Sequence, residues 1–146
     1  MKRLDRIIKI FLDDEYRASA EMSSCKASVN EQLRIYNELI GYEAEYKKKF
    51  IMKSSVATSI NRVTNYRSFM ARLKLTIDKQ ASNLETHKGE LDVYTQVWRE
   101  KKKKTTVLKK LNEKINKDKN MELSKTEQKE LDDLVSSRSY HRKLGL

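Results

Sequence analysis

Two long stretches of the chain have a mostly apolar repeat, in which successive positions are alternately three and four residues apart. This repeat limits the fold more than any other feature. In residues 4–50 the repeating positions are Leu4, Ile8, Phe11, Glu15, Ala18, Met22, Cys25, Val29, Gln32, Tyr36, Leu39, Glu43, Tyr46 and Phe50. In residues 63–115 they are Val63, Tyr66, Met70, Leu73, Ile77, Gln80, Leu84, His87, Leu91, Tyr94, Trp98, Lys101, Thr105, Leu108, Asn112 and Ile115. A repeat sustained over many heptads is typical of a coiled coil, in which these positions form the seam between two helices.

The amino-acid composition favours long helices over a compact core or a disordered chain. The 146 residues include no proline and three glycines, the residue types that normally interrupt helices. Hydrophobic residues make up 38% of the chain and charged residues 36%, so a narrow apolar seam is easier to build than a broad core. The regularly spaced apolar residues include tyrosines, phenylalanines and a tryptophan, which argues against disorder.

The repeat lapses in the stretch KSSVATS, residues 53–59, where serine and threonine favour turns and caps. Two helices joined by a short turn fold back on each other, so the sequence predicts an all-α fold: a long antiparallel two-helix coiled coil, or helical hairpin. We expect a single domain over residues 1–146, with helices at about 3–52 and 61–117 and a turn at about 53–60. After the polar stretch NKDKNMELSK, Ser124 and Glu127 fit a capping box, which predicts a short C-terminal helix at about 125–137 and a basic tail at 138–146.

Antiparallel packing of the two seams allows registers that differ by one heptad, and a turn centred on residue 58 selects one of them. This register pairs Phe50 with Tyr66, Leu39 with Ile77, Cys25 with Leu91, Ala18 with Trp98 and Glu15 with Lys101. A small residue then faces the tryptophan, and two polar seam residues of opposite charge face each other. We predict that Trp98 fills the space above Ala18 and that the Glu15–Lys101 pair helps to fix the register.

The net charge of +11 predicts an acidic partner, which could be nucleic acid, anionic lipid or an acidic protein surface. The four consecutive lysines at residues 101–104 spread around the circumference of a helix. They form either an ordinary solvated surface or a positive collar that steers this end of the hairpin into an acidic partner. Nucleic-acid binding is disfavoured because the tyrosines lie on or beside the seam rather than on an exposed stacking platform, and no base-reading motif is present.

The sequence has no recognisable catalytic or metal-binding chemistry. It contains no glycine-rich phosphate loop, no GxSxG motif and no cysteine–histidine cluster with metal spacing. Cys25 and His87 fall on the seam, where a packing role is expected. A two-helix hairpin also lacks the concave, water-excluding site that catalysis needs. We therefore expect no enzyme activity, no catalytic residue, no metal, no cofactor and no small-molecule substrate.

Several features of the sequence predict a cytoplasmic location. The single cysteine excludes an internal disulfide framework and fits a reducing cytosol. No stretch is long and apolar enough to span a bilayer. Asp5 and Lys9 interrupt the apolar run near the N-terminus, so this segment does not fit a signal peptide.

Aromatic residues concentrate near the predicted turn, namely Tyr36, Tyr42, Tyr46, Phe50, Tyr66 and Phe69. A two-helix seam cannot cover all of them, and Tyr42 falls beside the seam rather than on it. They form either a thickened core or a patch that binds a partner, since tyrosine and phenylalanine exposed together mark interfaces.

Three segments follow one another in order: GYEAEYKKKF, NYRSFMARLKLTIDKQ and LDVYTQVWREKKKKTTVLKKL. The distinctive residues in these segments and between the second and third are Tyr42, Glu45, Tyr46, Tyr66, Phe69, Leu73, Ile77, Gln80, Leu84, Leu91, Trp98, Arg99, Glu100 and Lys101. This ordered set resembles the FliJ family, small coiled-coil components of the bacterial flagellar type III export apparatus. The resemblance covers nearly the whole chain, including the late ELDDL segment, and is strongest over residues 39–111.

The resemblance implies a coiled-coil stalk similar to the central stalk of rotary ATP synthases, which enters the pore of a hexameric ATPase ring. The implied partners are a FliI-type hexameric ATPase, a FliH-type ATPase regulator, a FlhA-type export gate and export chaperones. The implied function is to bind and stimulate the ATPase ring, to couple it to the gate and to handle empty chaperones. The implied location is the cytoplasm, peripheral to the inner membrane at the base of the flagellum.

The resemblance also implies two binding regions. The residues implied for export-gate binding near the turn are Leu39, Tyr42, Tyr46, Phe69, Leu73, Thr76 and Gln80. Thr76 and Gln80 depart from the small and imidazole residues that the family pattern has at these positions. The residues implied for the ATPase-binding end, at the paired termini, are Phe11, Glu15, Ala18, Trp98, Arg99, Lys102 and Lys103.

Three other interpretations are compatible with these residues. A stalk protein of a virulence type III secretion system shares the architecture. A basic coiled-coil protein that binds nucleic acid would use the same net charge, and its binding would depend steeply on salt. A coiled-coil scaffold would self-associate through the aromatic residues near the turn.

Overall fold

The computed structural model describes residues 2–53 and 59–143. These residues form two helices, α1 (Lys2–Lys53) and α2 (Ile60–Lys143), which pack against each other without any strand. The predicted all-α helical hairpin is confirmed, and α1 and the start of α2 match their predicted bounds to within one residue. Part of the predicted turn, residues 54–58, lies outside the described residues. Over the residues described, neither helix has a stretch long and apolar enough to cross a membrane.

Charged pairs one turn apart stabilise the helices locally. On α1, Arg34 bridges Glu31 and Glu38, and the hydrogen bond from Arg34 holds the pKa of the Glu31 carboxyl below its usual value. Lys49 pairs with Glu45 at 3.4 Å in the same way. Because residues with this spacing face one another on a helix surface, a strongly charged sequence without proline sustains long helices.

A serine cap begins α2. The backbone N–H of Arg62 donates to the Ser59 hydroxyl at 3.3 Å and to the Ser59 carbonyl at 3.1 Å. Backbone N–H groups in the first turn of a helix have no partner within the helix, and a serine hydroxyl supplies one. The serine- and threonine-rich stretch that interrupts the heptad repeat therefore also provides the N-terminal cap of the second helix.

The structure differs from the sequence prediction at the C-terminal end. There, α2 runs without interruption to Lys143, whereas the sequence predicts a polar break and a separate short helix at 125–137. The polar stretch has no glycine or proline, and its lysine, glutamate and methionine residues favour helix. Thr126 donates its hydroxyl to the Glu122 carbonyl at 2.9 Å inside the helix, where a hydroxyl cannot cap a new one. The apolar seam ends in this region, but the helix continues.

Packing divides the chain into two compact units, which we call the terminal unit (residues 1–13 with 102–146) and the central unit (residues 14–101). Among the described residues, the hydrophobic or polar side chains less than a tenth exposed are Ile8 and Thr105 in the terminal unit and Ala18, Val29, Ile77 and Leu84 in the central unit. All of them occupy predicted seam positions, so the core of each unit is the seam between the helices. The expectation of a single domain stays a prediction.

Contacts within each unit agree with the predicted register. In the central unit the rings of Phe50 and Tyr66 stack, with centroids 3.8 Å apart and an interplanar angle of 8°. In the terminal unit the Thr105 hydroxyl donates to the Phe11 carbonyl at 3.4 Å, and these two residues face each other in the same register. Each unit therefore contains a helix pair aligned as a turn centred on residue 58 requires.

Polar residues of the seam find partners on the opposite helix. The Gln80 amide donates to the side-chain oxygen of Gln32 at 2.7 Å and to its carbonyl at 3.1 Å. Lys101 Nζ lies 3.6 Å from Asp14 Oδ2, whereas the sequence predicts the neighbouring Glu15 as its partner. Asp14 is nearly half exposed, so the long lysine side chain reaches a carboxylate in contact with water. This arrangement avoids the desolvation cost of an ion pair inside the seam.

Replacing Leu91 by cysteine tests the register. Cys25 is a half-buried free thiol, and the predicted register places residue 91 opposite it in the central unit. Mild oxidation of dilute Leu91→Cys protein is expected to form an intramolecular disulfide, because facing seam positions bring the two β-carbons close enough for one. A gel shift and mass spectrometry would detect it. Asp92→Cys, at the adjacent exposed position, is the matched control and should stay reduced; a disulfide in the control but not in Leu91→Cys would contradict the register.

At Asn112 the seam contains a polar side chain that lowers the stability of the fold. Its side-chain oxygen is buried without a hydrogen-bond partner among the described residues, and its amide nitrogen lies 3.5 Å from Asp5 Oδ1. Asn112→Leu removes the unsatisfied oxygen and extends the apolar seam, so we expect the free energy of unfolding to rise by about 1–2 kcal/mol. Urea unfolding measures this gain. The exposed Asn116→Leu should change stability little, and an equal gain in both variants would show that the buried oxygen is not the cause.

Candidate partner-binding surfaces

Three exposed aromatic side chains lie together where the end of α1 meets the start of α2. We call Tyr42, Tyr46 and Phe69 the aromatic surface; they are 51%, 45% and 37% exposed. The rings of Tyr46 and Phe69 touch across the two helices, with centroids 4.7 Å apart and tilted by 52°. The surface belongs to the central unit, in which the stacked Phe50 and Tyr66 rings also lie.

The heptad positions explain why these rings stay exposed. Tyr42 and Phe69 flank the seam rather than occupy it, and two helices can enclose only a narrow stripe between them. Lys49 Nζ lies 5.9 Å from the centroid of the Tyr46 ring, a cation–π distance that holds one face of this ring beside a positive charge. Aromatic residues exposed as a group, next to a cation, are typical of surfaces that bind another protein.

The structure sorts the residues implied for export-gate binding into two groups. Exposed side chains belong to Tyr42, Tyr46, Phe69 and Thr76, whereas half-buried ones belong to Leu39, Leu73 and Gln80. The Gln80 amide is bonded to Gln32 across the seam. The Thr76 hydroxyl donates to the Arg72 carbonyl on its own helix at 3.0 Å. Gln80 therefore holds the helix pair together, and the aromatic surface is the part available to a partner.

The residues implied for ATPase binding are divided between the two units. Phe11, Lys102 and Lys103 lie in the terminal unit, whereas Glu15, Ala18, Trp98 and Arg99 lie in the central unit. Ala18 is 3% exposed, so it can pack the seam but cannot touch a partner. Glu15 and Trp98 are half-buried and Arg99 is exposed.

A groove with an apolar floor and cationic sides lies in the terminal unit. It has a volume of about 420 Å³ and is lined by Phe11, Lys103, Lys104, Val107 and Leu108. We call it the basic groove. The sequence predicts a binding role for Phe11 and Lys103 but none for Val107. One sequence feature does indicate such a role for Val107, because it is an apolar residue outside the seam, one turn after Lys103.

The two seam residues with reactive side chains are His87 and Cys25. His87 Nδ1 lies 2.7 Å from the Asn83 carbonyl on the same helix. Cys25 is half-buried in the seam of the central unit. The described part of the chain contains no group of three or more His, Cys, Asp or Glu side chains that could hold a metal ion. The candidate sites are the two exposed surfaces, one aromatic and one basic.

Comparison with known proteins gives matches to one family. The family model described as "Flagellar FliJ protein" matches residues 1–145. A curated relative, the "Flagellar FliJ protein" of Escherichia coli (strain K12), is 29% identical over 93 residues, which cover 64% of this chain. The aligned part spans 61% of the length of that relative. No solved structure gives a significant match to the chain.

Proposed function

The chain belongs to the FliJ family of flagellar proteins, and from this membership we propose that it is a non-enzymatic coiled-coil component of the flagellar protein export apparatus. The observation that carries the proposal is a helical hairpin with two unlike exposed surfaces, the aromatic surface and the basic groove. A packed pair of helices transmits position and force without chemistry of its own. Such a protein acts by holding partners, and its two surfaces differ enough to hold different ones.

The basic groove and the lysines beside it bind the FliI-type export ATPase in this proposal. Lys102, Lys103 and Lys104 are consecutive and exposed on α2, so they create a positive field around the terminal unit. Such a field steers association with an acidic surface, and the apolar floor of the groove provides the contact that holds the complex. Binding favours assembly of the ATPase ring and raises its turnover.

The aromatic surface binds the FlhA-type export gate in the same proposal. Tyr42, Tyr46 and Phe69 supply apolar area with a hydroxyl group on two of the three rings, which suits a partly wet interface. A FliH-type regulator and empty export chaperones are further proposed partners, for which we assign no residue. The proposed location is cytoplasmic, at the inner membrane beneath the flagellum, where these partners would meet.

Purified chain and its cognate flagellar ATPase test the proposal directly. We expect the ATPase to be retained on the immobilised chain and its ATP turnover to rise when the chain is added. If the two proteins do not bind and the chain does not change ATP turnover, the proposed role is wrong.

Charge reversal at the three lysines tests how the ATPase is bound. We expect Lys102→Glu, Lys103→Glu and Lys104→Glu together to lower the stimulation of ATP turnover several-fold at low salt. Added salt should lower the stimulation by wild-type chain and have little effect on the variant, because screening weakens exposed charges. A control with the same charge change at the exposed Lys26, Lys74 and Lys79 should keep stimulation near wild type. Stimulation of ATP turnover that is unchanged by both the charge reversal and added salt would contradict electrostatic binding.

A further inference from the structure

The last part of α2 carries an apolar stripe that the fold leaves open to solvent. Every described side chain from residue 116 to residue 138 is exposed. Leu131, Leu134 and Val135 lie one turn apart on this segment and are more than half exposed. Glu127, Glu130 and Asp132 flank them on the helix, and Lys129 is the one cation between residues 127 and 133. We call this set the acidic stripe; on a chain with net charge +11 it is a locally negative and apolar surface.

The basic groove has the opposite charge and the same apolar character. Exposed apolar residues lie one turn from the groove on each helix, because Ile7 precedes Phe11 and Leu111 follows Val107 by four residues. Val107 itself is 64% exposed. Apolar side chains gathered in this way and bordered by lysines mark a surface that another molecule covers.

Opposite charge and shared apolar character point to the acidic stripe as the occupant of the basic groove. An apolar helix face places leucine and valine on the groove floor, while its carboxylates meet the ammonium groups of Lys103 and Lys104. Nucleic acid would satisfy the lysines but would leave the apolar floor without a partner. The chain therefore contains both halves of one complementary interface.

The two halves cannot meet within one molecule. Both lie on α2, which is a single helix through this region. A rise of 1.5 Å per residue separates Val107 from Leu131 by roughly 36 Å along the helix axis. Without the ATPase, the occupant of the groove is therefore a second copy of the chain, and in the proposed function the ATPase displaces that copy.

We propose that the protein self-associates by docking the acidic stripe of one copy into the basic groove of another. The contact is heterologous, because different surfaces of the two copies meet. Each copy keeps its aromatic surface, which lies in the central unit, outside the contact. The association needs no ATPase or gate protein, so it can be measured on the purified chain alone.

Sedimentation equilibrium over a concentration series tests the proposal, with charge reversals on each side of the contact. Wild-type chain is expected to exceed the monomer mass at high concentration and low salt, and to approach it as salt rises. Lys103→Glu with Lys104→Glu, and separately Glu127→Lys with Asp132→Lys, should each weaken self-association at least tenfold. All four substitutions in one chain exchange the signs of the two surfaces, and should restore association to near the wild-type level.

The four-substitution chain separates docking from a general effect of charge, because its net charge equals that of wild type. A control with Lys26→Glu and Lys79→Glu should associate as wild type does, and circular dichroism should show equal helix content in every variant. A chain that stays monomeric throughout, or a four-substitution chain that fails to associate, would overturn the proposal. Either result would leave the groove to an acidic helix of a different protein.

Discussion

Replacing Leu84 by aspartate is expected to destabilise the hairpin more than any other single change described above. Leu84 is 6% exposed and lies in the seam of the central unit. The substitution removes the apolar side chain and places a carboxylate where no cation is opposite it in the predicted register. We expect a loss of about 4 kcal/mol or more, close to a thousandfold in the unfolding equilibrium. Long helices without their seam are only marginally stable, so much of the helix should be lost as well.

Leu75 provides a matched control on the same helix. It is 69% exposed, so Leu75→Asp makes the same chemical change on the outer face of α2. We expect it to cost less than about 1 kcal/mol, mostly through helix propensity. Urea unfolding followed by far-ultraviolet circular dichroism compares the two variants. Equal losses of stability at the two positions would show that the seam is not the core of the protein.

Truncating both touching rings of the aromatic surface should weaken binding to the cognate export-gate protein. Tyr46→Ala with Phe69→Ala removes the only ring pair that is both exposed and in contact across the helices in the described part of the chain. Exposed aromatic anchors contribute most of the binding energy in many interfaces, so we expect a loss of about 2–3 kcal/mol, or roughly 30- to 150-fold in Kd. Because the rings touch, the two single substitutions should not add.

Tyr16→Ala is the control for this measurement, since Tyr16 is exposed on α1 outside the aromatic surface. Its affinity for the gate protein should stay within about twofold of wild type. Calorimetry or surface plasmon resonance gives both affinities, and circular dichroism verifies that each variant is folded. A gate affinity unchanged by loss of the two rings would remove the aromatic surface from the proposed function.

The heptad repeat was sufficient to predict the two helices and the seam between them. Ile8, Val29 and Leu84 are buried as their positions predict, because a spacing of three and four places them on one face of a helix. The stack of Phe50 on Tyr66 follows from the position of the turn. These features depend on periodicity and chain connectivity, both of which are visible in the residues themselves.

Structural features outside the seam are harder to predict from the heptad repeat. The sequence predicts a break in the helix where the apolar repeat ends, yet residues 116–138 are helical with every side chain exposed. Lys101 reaches Asp14 because a long side chain can leave its heptad position, which a seam pattern does not represent. The basic groove combines side chains from both helices, and the sequence pattern does not show that Val107 of α2 lines it together with Phe11 of α1.

In the proposed function, one helical hairpin holds the export ATPase and the export gate at the same time through different surfaces. Immobilised gate protein, presented with the cognate ATPase in the presence and absence of this chain, measures this link. We predict that the ATPase is retained when the chain is present, that it is lost when the chain is omitted, and that Tyr46→Ala with Phe69→Ala abolishes the retention. Retention of equal amounts of ATPase with and without the chain, or no retention although each pair binds separately, would show that the hairpin does not link the ATPase to the gate.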